Sequence, residues 1–258
     1  MPKGVYAAAS AMLVETRALE AAARNLAHLQ TPGYRQEVAL RRSFDQLLRA
    51  QGRDDSTRDT IQRDRGAGVA EHDRYFVHSD GLRDPTGNPF DLALSGAGFF
   101  LVRDGQGQEL LTRAGHFVPD AQGRLTSPEG FQLQGQGGPI AIPPEAERIL
   151  IARDGTVSAI STVAGQTVQA VIDQVRLVEV AEPSRLAARN GQYFDPAGQA
   201  LADAGATVLH QGMLERANVS GVQQLVEMIA LQRRHDAAQK SLTTQTDLGG
   251  GLGEILRT

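Results

Sequence analysis

The strongest constraint on how this chain folds is the contrast between its two ends, patterned as helices, and the long stretch between them, patterned as strands. From Val5 to Gln30 the sequence is rich in Ala and Leu and contains no Gly or Pro. Apolar residues recur every seven positions at Val5, Met12, Leu19 and Leu26, and a second row follows three residues on at Ala8, Ala22 and Leu29, broken by Glu15. That spacing is the seam of a helix packed on another helix, with small residues on its flanks. Thr31-Pro32-Gly33 ends the helix, because proline cannot continue the hydrogen-bond ladder. After Gly212 the helical pattern returns: Val222, Leu225, Ile229 and Gln232 are spaced at three and four, and Asn218 or Ser220 is placed to cap the start. Neither apolar stripe is stable uncovered. The two ends are therefore expected to pack as an antiparallel pair, with Val5, Met12, Leu19 and Leu26 meeting Val222, Leu225 and Ile229. Such a pair is thin and leaves apolar surface over, so helices of other chains are expected to cover the rest.

The middle follows strand rules. Short apolar runs at 99–102, 148–152 and 175–180 are separated by Asp104-Gly105, Asp154-Gly155, Asn190-Gly191 and similar pairs, which favour tight hairpin turns. Gly96 and Gly98 predict a bend or bulge just before the first run, and Phe99 and Phe100 point to opposite faces of it. Between Gln51 and Gly68 the chain is dense in Asp and Arg, as in an exposed connector. The expected fold class is α+β: N- and C-terminal helices form a coiled-coil-like domain around a central, mostly antiparallel β domain. The expected divisions are an N-terminal helix over 1–33, a connector over 34–68, a β-rich domain over 69–208 and a C-terminal helix over 209–258.

Composition removes several chemistries. The chain has no Cys, which excludes disulfide scaffolds, thiolate zinc sites, iron–sulfur clusters and a Cys nucleophile. A net charge of −4 and a pI near 5.9 argue against nucleic-acid binding. No apolar run is long enough for a membrane-crossing helix, and the N-terminus lacks the pattern of a cleaved signal peptide. The nucleophile motif G-x-S-x-G fails at Ser95, where Ala93 stands in place of the first glycine, and Gly96-Ala97-Gly98 leads into a strand rather than a helix. The six His are scattered; the closest pair, His72 and His78, would sit roughly 20 Å apart on an extended segment, too far to share a metal. No catalytic residue, cofactor or metal ligand is expected. A carbohydrate-binding module would need an aromatic platform, and a hydrolase would need a converging carboxylate pair. The residues favour a structural, self-assembling chain.

Several stretches, in order, resemble one family. Tyr6 to Met12, Asn25-Leu26-Ala27 and Thr31-Pro32-Gly33-Tyr34-Arg35 stand near the start. Asn88 to Leu94, Gly96-Ala97-Gly98-Phe99-Phe100, Thr112-Arg113-Ala114-Gly115-His116-Phe117, Gly137-Gly138-Pro139-Ile140 and Asp154 to Ser158 follow in the middle. Gln211-Gly212-Met213-Leu214-Glu215, Asn218-Val219 and Glu227-Met228-Ile229 through Gln232-Arg233 close the series. Taken together they resemble the flagellar basal-body rod proteins of the rod and hook family. Departures are His28 for a usual Asn, Ala11 for a common Gly, and His235-Asp236 for a common Tyr-Glu.

The resemblance implies a subunit whose terminal helices build the inner tube of a drive shaft, with the β domain outside, and no enzymatic activity. It implies an assembly interface at Val5, Met12, Leu19, Asn25, Leu26, Ala27, Leu29, Asn218, Val222, Leu225, Met228 and Ile229, and structural bends at Thr31, Pro32, Gly33, Gly96 and Gly98. The implied partners are copies of the chain, other rod and hook subunits, the flagellar type III export apparatus and the rings around the rod, with no nucleic acid and no membrane insertion. The implied location is the periplasmic rod of the basal body, reached without a cleaved signal, with helices that order on assembly. Gly137 to Ile140 and Asp154 to Ser158 resemble the proximal-rod (FlgF) type. Gly98-Phe99-Phe100 and Thr112 to Phe117 resemble the distal-rod (FlgG) type about as well, and the proximal type is preferred.

Overall fold

The computed structural model describes residues 2–43, 69–163 and 166–255, with side chains near both termini and over 40–74 outside the described set. The chain forms two compact units: a helical unit of 1–27, 37–75 and 220–258, and a β unit of 28–36 and 76–219. Residues 44–68, including most of the expected connector, lie outside the described residues.

The helical unit holds α1 (Pro2–Ala27), α2 (Gly221–Ile255) and most of a two-stranded sheet of β1 (Gln36–Ser43) and β2 (Val69–Val77). The helices run antiparallel: Asn25 meets Gln224 and Arg234 lies 3.6 Å from Glu15. The face that α1 buries is not the expected seam. Val14, Ala18, Ala21, Ala22 and Asn25 are buried, whereas Met12, Leu19 and Leu26 are only half-buried and Leu13 is exposed. At about 100° per residue, the buried row is rotated roughly a third of a turn from the Val5–Met12–Leu19–Leu26 row. Val5 lies within α1, but its side chain is outside the described set. On α2 the covered row is Gln224, Met228, Leu231, His235, Ala238 and Leu242, spaced at four and three. Ala18, Ala22 and Leu231 form the centre of the contact, with Leu19, Ala39 and Met228 against them. The alanines explain the choice of face, since they allow the closest approach of two helix axes.

The β unit contains strands β3 (Arg83–Pro85), β4 (Leu92–Ser95), β5 (Phe99–Arg103), β6 (Glu109–Thr112), β7 (Val118–Pro119), β8 (Leu125–Thr126) and β9 (Gln132–Leu133). It continues through β10 (Arg148–Ile151), β11 (Thr156–Val163), β12 (Gln166–Gln174), β13 (Leu177–Glu179) and β14 (Ala187–Ala188). The last strands are β15 (Tyr193–Asp195), β16 (Ala202–Asp203), β17 (Val208–Gln211) and β18 (Met213–Glu215). The largest sheet runs β14-β15-β6-β5-β9-β8-β7, with β13 and β16 added beside β5. A separate three-stranded sheet runs β10-β11-β12, and β4 pairs β17 while β3 pairs β18. The pairings whose register is given are all antiparallel, as the Asp-Gly turns predict.

β5 is buried on both faces. Phe100 and Val102 enter a large core with Leu92, Leu110, Phe117, Leu133 and Ile149, while Phe99 and Leu101 enter a second core with Leu111, Val178, Val180 and Phe194. Phe99 and Phe100 therefore each serve a core. Gly96 takes a left-handed φ of +118° just before this strand, a conformation open to glycine and costly for other residues. Gly98 lies so close to Thr207 that a Cβ there would sit 2.6 Å from the threonine hydroxyl.

Candidate assembly site

With one face of α2 covered by α1, its opposite face stands open. Val222, Leu225, Val226 and Ile229 are 75, 49, 63 and 52% exposed and fall within an arc of about 100° on the helix. Val222, Leu225 and Ile229 thus do not pack on α1 as the sequence spacing suggested. Ala27 is exposed and Leu29 half-buried in the turn after α1. Met228 belongs to the covered side.

Polar groups hold the helical unit together. The Asn25 amide donates to the Glu37 carbonyl at 2.8 Å and to Gln224 Oε1 at 3.1 Å, and its oxygen accepts the Glu37 N–H at 2.8 Å. In effect the side chain acts as a peptide group, joining α1, β1 and α2. Arg24 adds a bidentate pair to Glu37 at 2.7 and 2.8 Å, the two-pronged geometry that makes Arg–carboxylate contacts strong. Asn25 is 2% exposed; although it was expected at an interface with other chains, its polar atoms are engaged within this one.

The β unit is fastened by a second polar cluster, built from residues of the quoted motifs. Arg35 Nη2 lies 2.8 Å from Glu215 Oε1, and Arg113 Nη1 lies 3.3 Å from Glu215 Oε2; all three side chains are fully buried. Arg113 also reaches the half-exposed Asp80 at 3.4 Å, donates to the Gly96 carbonyl, and lies over the Phe99 ring. Glu215 accepts the Gly81 N–H at 2.8 Å as well. Arg35 Nε and Nη1, Arg113 Nε and His78 Nδ1 find no partner among the described residues. Burial, followed by the charge of Arg35, pulls the Arg113 pKa below its usual value. His78, packed edge-on to Phe99 and Phe194, has its pKa lowered to about 4, first by burial and then by the charges of Arg35 and Arg113.

Backbone contacts extend the cluster. Gly33, at a left-handed φ of +68°, donates its N–H to the Glu215 carbonyl at 2.8 Å. A Cβ on Gly33 would collide with the Ala114 backbone. Thr31 and His28 share a 3.1 Å contact in the turn, and the Pro32 carbonyl accepts a hydrogen bond from Gln192. Asn218 does not cap α2: its side chain accepts the Gln36 N–H at 2.7 Å and donates to the carbonyls of Val77 and Ser79. Among the described residues no group of three or more His, Asp or Glu side chains is arranged to hold a metal ion.

Residues 93–159 match the flagellar hook protein FlgE/F/G D1 domain, and residues 210–250 match the flagellar basal body rod FlgEFG protein C-terminal region. The chain is 30% identical to a flagellar basal-body rod protein FlgG of Buchnera aphidicola, covering 90% of this chain and 91% of that protein. It is also 30% identical to the FlgF rod protein of Caulobacter vibrioides, over 99% and 98% of the two chains, and 29% identical to FlgF of Salmonella typhimurium over 99% of each. The chain belongs to the flagellar rod and hook family. In this member of the rod and hook family, Arg113 lies in the first matched region and Glu215 in the second, so the buried cluster links them. None of Arg35, Arg113 or Glu215 stood out as a functional residue in the sequence. The available signal was that each sits inside a motif quoted for the resemblance.

Glu215→Gln leaves two buried guanidinium groups without their shared counter-charge and is expected to cost the β unit about 3–5 kcal/mol. Asp80→Asn, at a half-exposed site, should cost no more than about 1 kcal/mol. Urea midpoints of the full chain test this, and equal losses would contradict it. His78 is neutral in the folded chain and takes up a proton in the unfolded chain below its ordinary pKa of 6.5. The β unit should therefore lose about 2 kcal/mol between pH 7.5 and pH 5. His78→Gln should flatten that slope; an unchanged slope in the variant would assign the pH dependence elsewhere.

Proposed function

We propose that this chain is a structural subunit of the flagellar basal-body rod and that it polymerises through α1 and α2. The carrying observation is the open apolar face of Val222, Leu225, Val226 and Ile229, on the side of α2 turned away from α1. Within the subunit, α1 and α2 pack as a coiled-coil-like pair, the buried rows following the alternating three–four spacing of such seams. Between subunits, the open face of α2 and the half-buried Met12, Leu19 and Leu26 row of α1 take helices of neighbouring copies or of related rod and hook subunits. Each Leu, Ile or Val so covered contributes about 1.5–3 kcal/mol, and a head-to-tail contact that does not close propagates a shaft. The relatives' names as rod proteins support the assignment.

The reading favours the proximal-rod type, on the stretches Gly137 to Ile140 and Asp154 to Ser158. It places the subunit in the periplasmic rod, delivered by the flagellar export apparatus without a cleaved signal and surrounded by the basal-body rings, and it has the helices order as neighbours cover them. Complementation of a deletion strain tests the interface. Ile229→Asp should leave the melting of the β unit unchanged and the chain exported, yet fail to restore swimming; full rescue by this variant would overturn the interface. Electron tomography of the deletion strain distinguishes the types. A rod absent beyond its base supports the proximal reading, a rod lacking only its distal part supports the distal one, and a normal basal body rejects both.

A further inference from the structure

Asn190-Gly191 lies in the turn between β14 and β15, with Asn190 exposed and Gly191 buried. The Asn190 side-chain oxygen accepts the backbone N–H of Gln192 at 3.2 Å and that of Tyr193 at 3.1 Å. Two fixed N–H dipoles thus point at one carbonyl oxygen, the arrangement that stabilises negative charge when a nucleophile adds to the carbon beside it. The nucleophile at hand is the next backbone nitrogen, held in the same turn, so no bimolecular encounter is needed. Among the described residues nothing accepts the Gly191 N–H, and no hydrogen bond has to break before that nitrogen reacts. Glycine brings no side chain to hinder ring closure, and at φ +80° Gly191 holds a backbone that few other residues adopt. The chain's other asparagines lack this combination. Asn88 precedes Pro89, which has no N–H. Asn25 sits inside α1 with both amide atoms engaged. Asn218 precedes the β-branched Val219, and its amide is held by Gln36, Val77 and Ser79.

We propose that Asn190 is a self-modification site, whose side-chain amide is lost in the folded chain by attack of the Gly191 nitrogen to leave aspartate or isoaspartate at position 190. Hydroxide takes the Gly191 amide proton, the nitrogen adds to Asn190 Cγ, and the carbonyl electron pair moves onto Oδ1 beneath the Gln192 and Tyr193 N–H groups. Collapse of that oxyanion breaks the bond from Cγ to Nδ2, which takes a proton from water and leaves as ammonia, closing a succinimide. Water then opens the ring, so the net change is one water consumed and one ammonia released, with no oxidation or reduction. Opening at Cγ gives aspartate and restores the backbone. Opening at the main-chain carbonyl gives isoaspartate, whose backbone runs through Cβ and Cγ and is one carbon longer. The turn has no room for that carbon. The Gly191 carbonyl accepts the Arg35 N–H at 3.0 Å, a Cβ on Gly191 would sit 2.4 Å from the Tyr34 ring, and the Gln192 side chain donates to the Pro32 carbonyl at 3.0 Å. Isoaspartate therefore loosens the hold on residues 32–35, the segment that carries Arg35 into the buried cluster. The chemistry belongs to one subunit and does not rest on assembly through the helices.

The test follows the full chain at mildly alkaline pH, folded or in urea, by peptide mass spectrometry with fragmentation that separates aspartate from isoaspartate. By the time the unfolded chain has converted half of its Asn190, the folded chain should have converted at least as much, releasing ammonia mole for mole. In the folded chain the rate at Asn190 should exceed that at Asn218 by about tenfold or more, the two N–H groups on Oδ1 supplying the difference. The rate should rise in proportion to hydroxide. Asn190→Asp adds the charge without lengthening the backbone; it should keep the urea midpoint of freshly purified wild type, whereas the isoaspartate fraction of aged wild type should unfold at lower urea. A folded chain that keeps Asn190 after the unfolded chain has lost it, equal conversion at Asn218, or isoaspartate chains with an unchanged urea midpoint would each overturn the proposal.

Discussion

Arg35 and Glu215 stand 180 residues apart in sequence and meet with neither side chain reaching solvent. The rest of the β unit's organisation depends on this contact. The chain first enters the unit at residue 28 and last leaves it at 219, and the pair joins the segment after that entry to the segment before that exit. The Gly33 N–H on the Glu215 carbonyl, and the Gln36 N–H on the Asn218 side chain, repeat the tie in the backbone. A buried carboxylate shared by two guanidinium groups is a poor source of net stability, because desolvating the three ions costs as much as their attraction returns. Its effect lies in geometry. Its contacts bring the Gly33–Arg35, Asp80–Gly81, Arg113 and Glu215 segments to one place.

The helical unit follows a different logic. Its internal contacts are mostly small or polar: alanines with Val14 and a half-buried Leu19 on α1, a Leu and a Met on α2, and the amide of Asn25 between them. Its larger branched residues, Val222, Leu225, Val226 and Ile229, face outward. An ordinary globular chain puts its largest apolar groups inside. In the proposed assembly this inversion would have a use: the intrachain contact sets the pairing of α1 with α2, and the outer face is left for neighbours.

The two terminal helices and the antiparallel strand character of the middle were legible, because they rest on local periodicity and turn chemistry; the order of the strands in their sheets was not. The sequence misled on phase. A seven-residue repeat is satisfied by several rows on one helix, and the most apolar row, Val5–Met12–Leu19–Leu26, is the natural choice by hydrophobicity. The packed row runs through Val14, Ala18, Ala21 and Asn25, selected by the closeness of the partner helix, which a single sequence does not encode locally. The role of Asn218 was hidden for a related reason. An Asn before a helix reads as a cap, but its amide is claimed by Gln36, Val77 and Ser79 from distant parts of the chain. The Arg35–Arg113–Glu215 cluster is the extreme case. Nothing within ten residues of any member announces it, although each member lay within a stretch that suggested the family.

The two units also differ in how far each can stand alone. The β unit has two apolar cores sharing β5, filled by Phe, Leu, Ile and Val side chains. Among the described residues of the helical unit, the buried apolar side chains are Val14, Ala18, Ala21, Ala22 and Leu231. A helix gains little from its own hydrogen bonds in water and owes most of its stability to tertiary burial, while ordering each residue costs about 1–2 kcal/mol of backbone entropy. Three alanines, one valine and one leucine are little described burial for helices of 26 and 35 residues. A large side chain removed from water on the open face of α2 would contribute more than any alanine in the internal contact. In the proposed assembly, covering that face would add to the stability of the helical unit, whereas the β unit carries its two cores and the Arg35–Glu215 pair within one subunit.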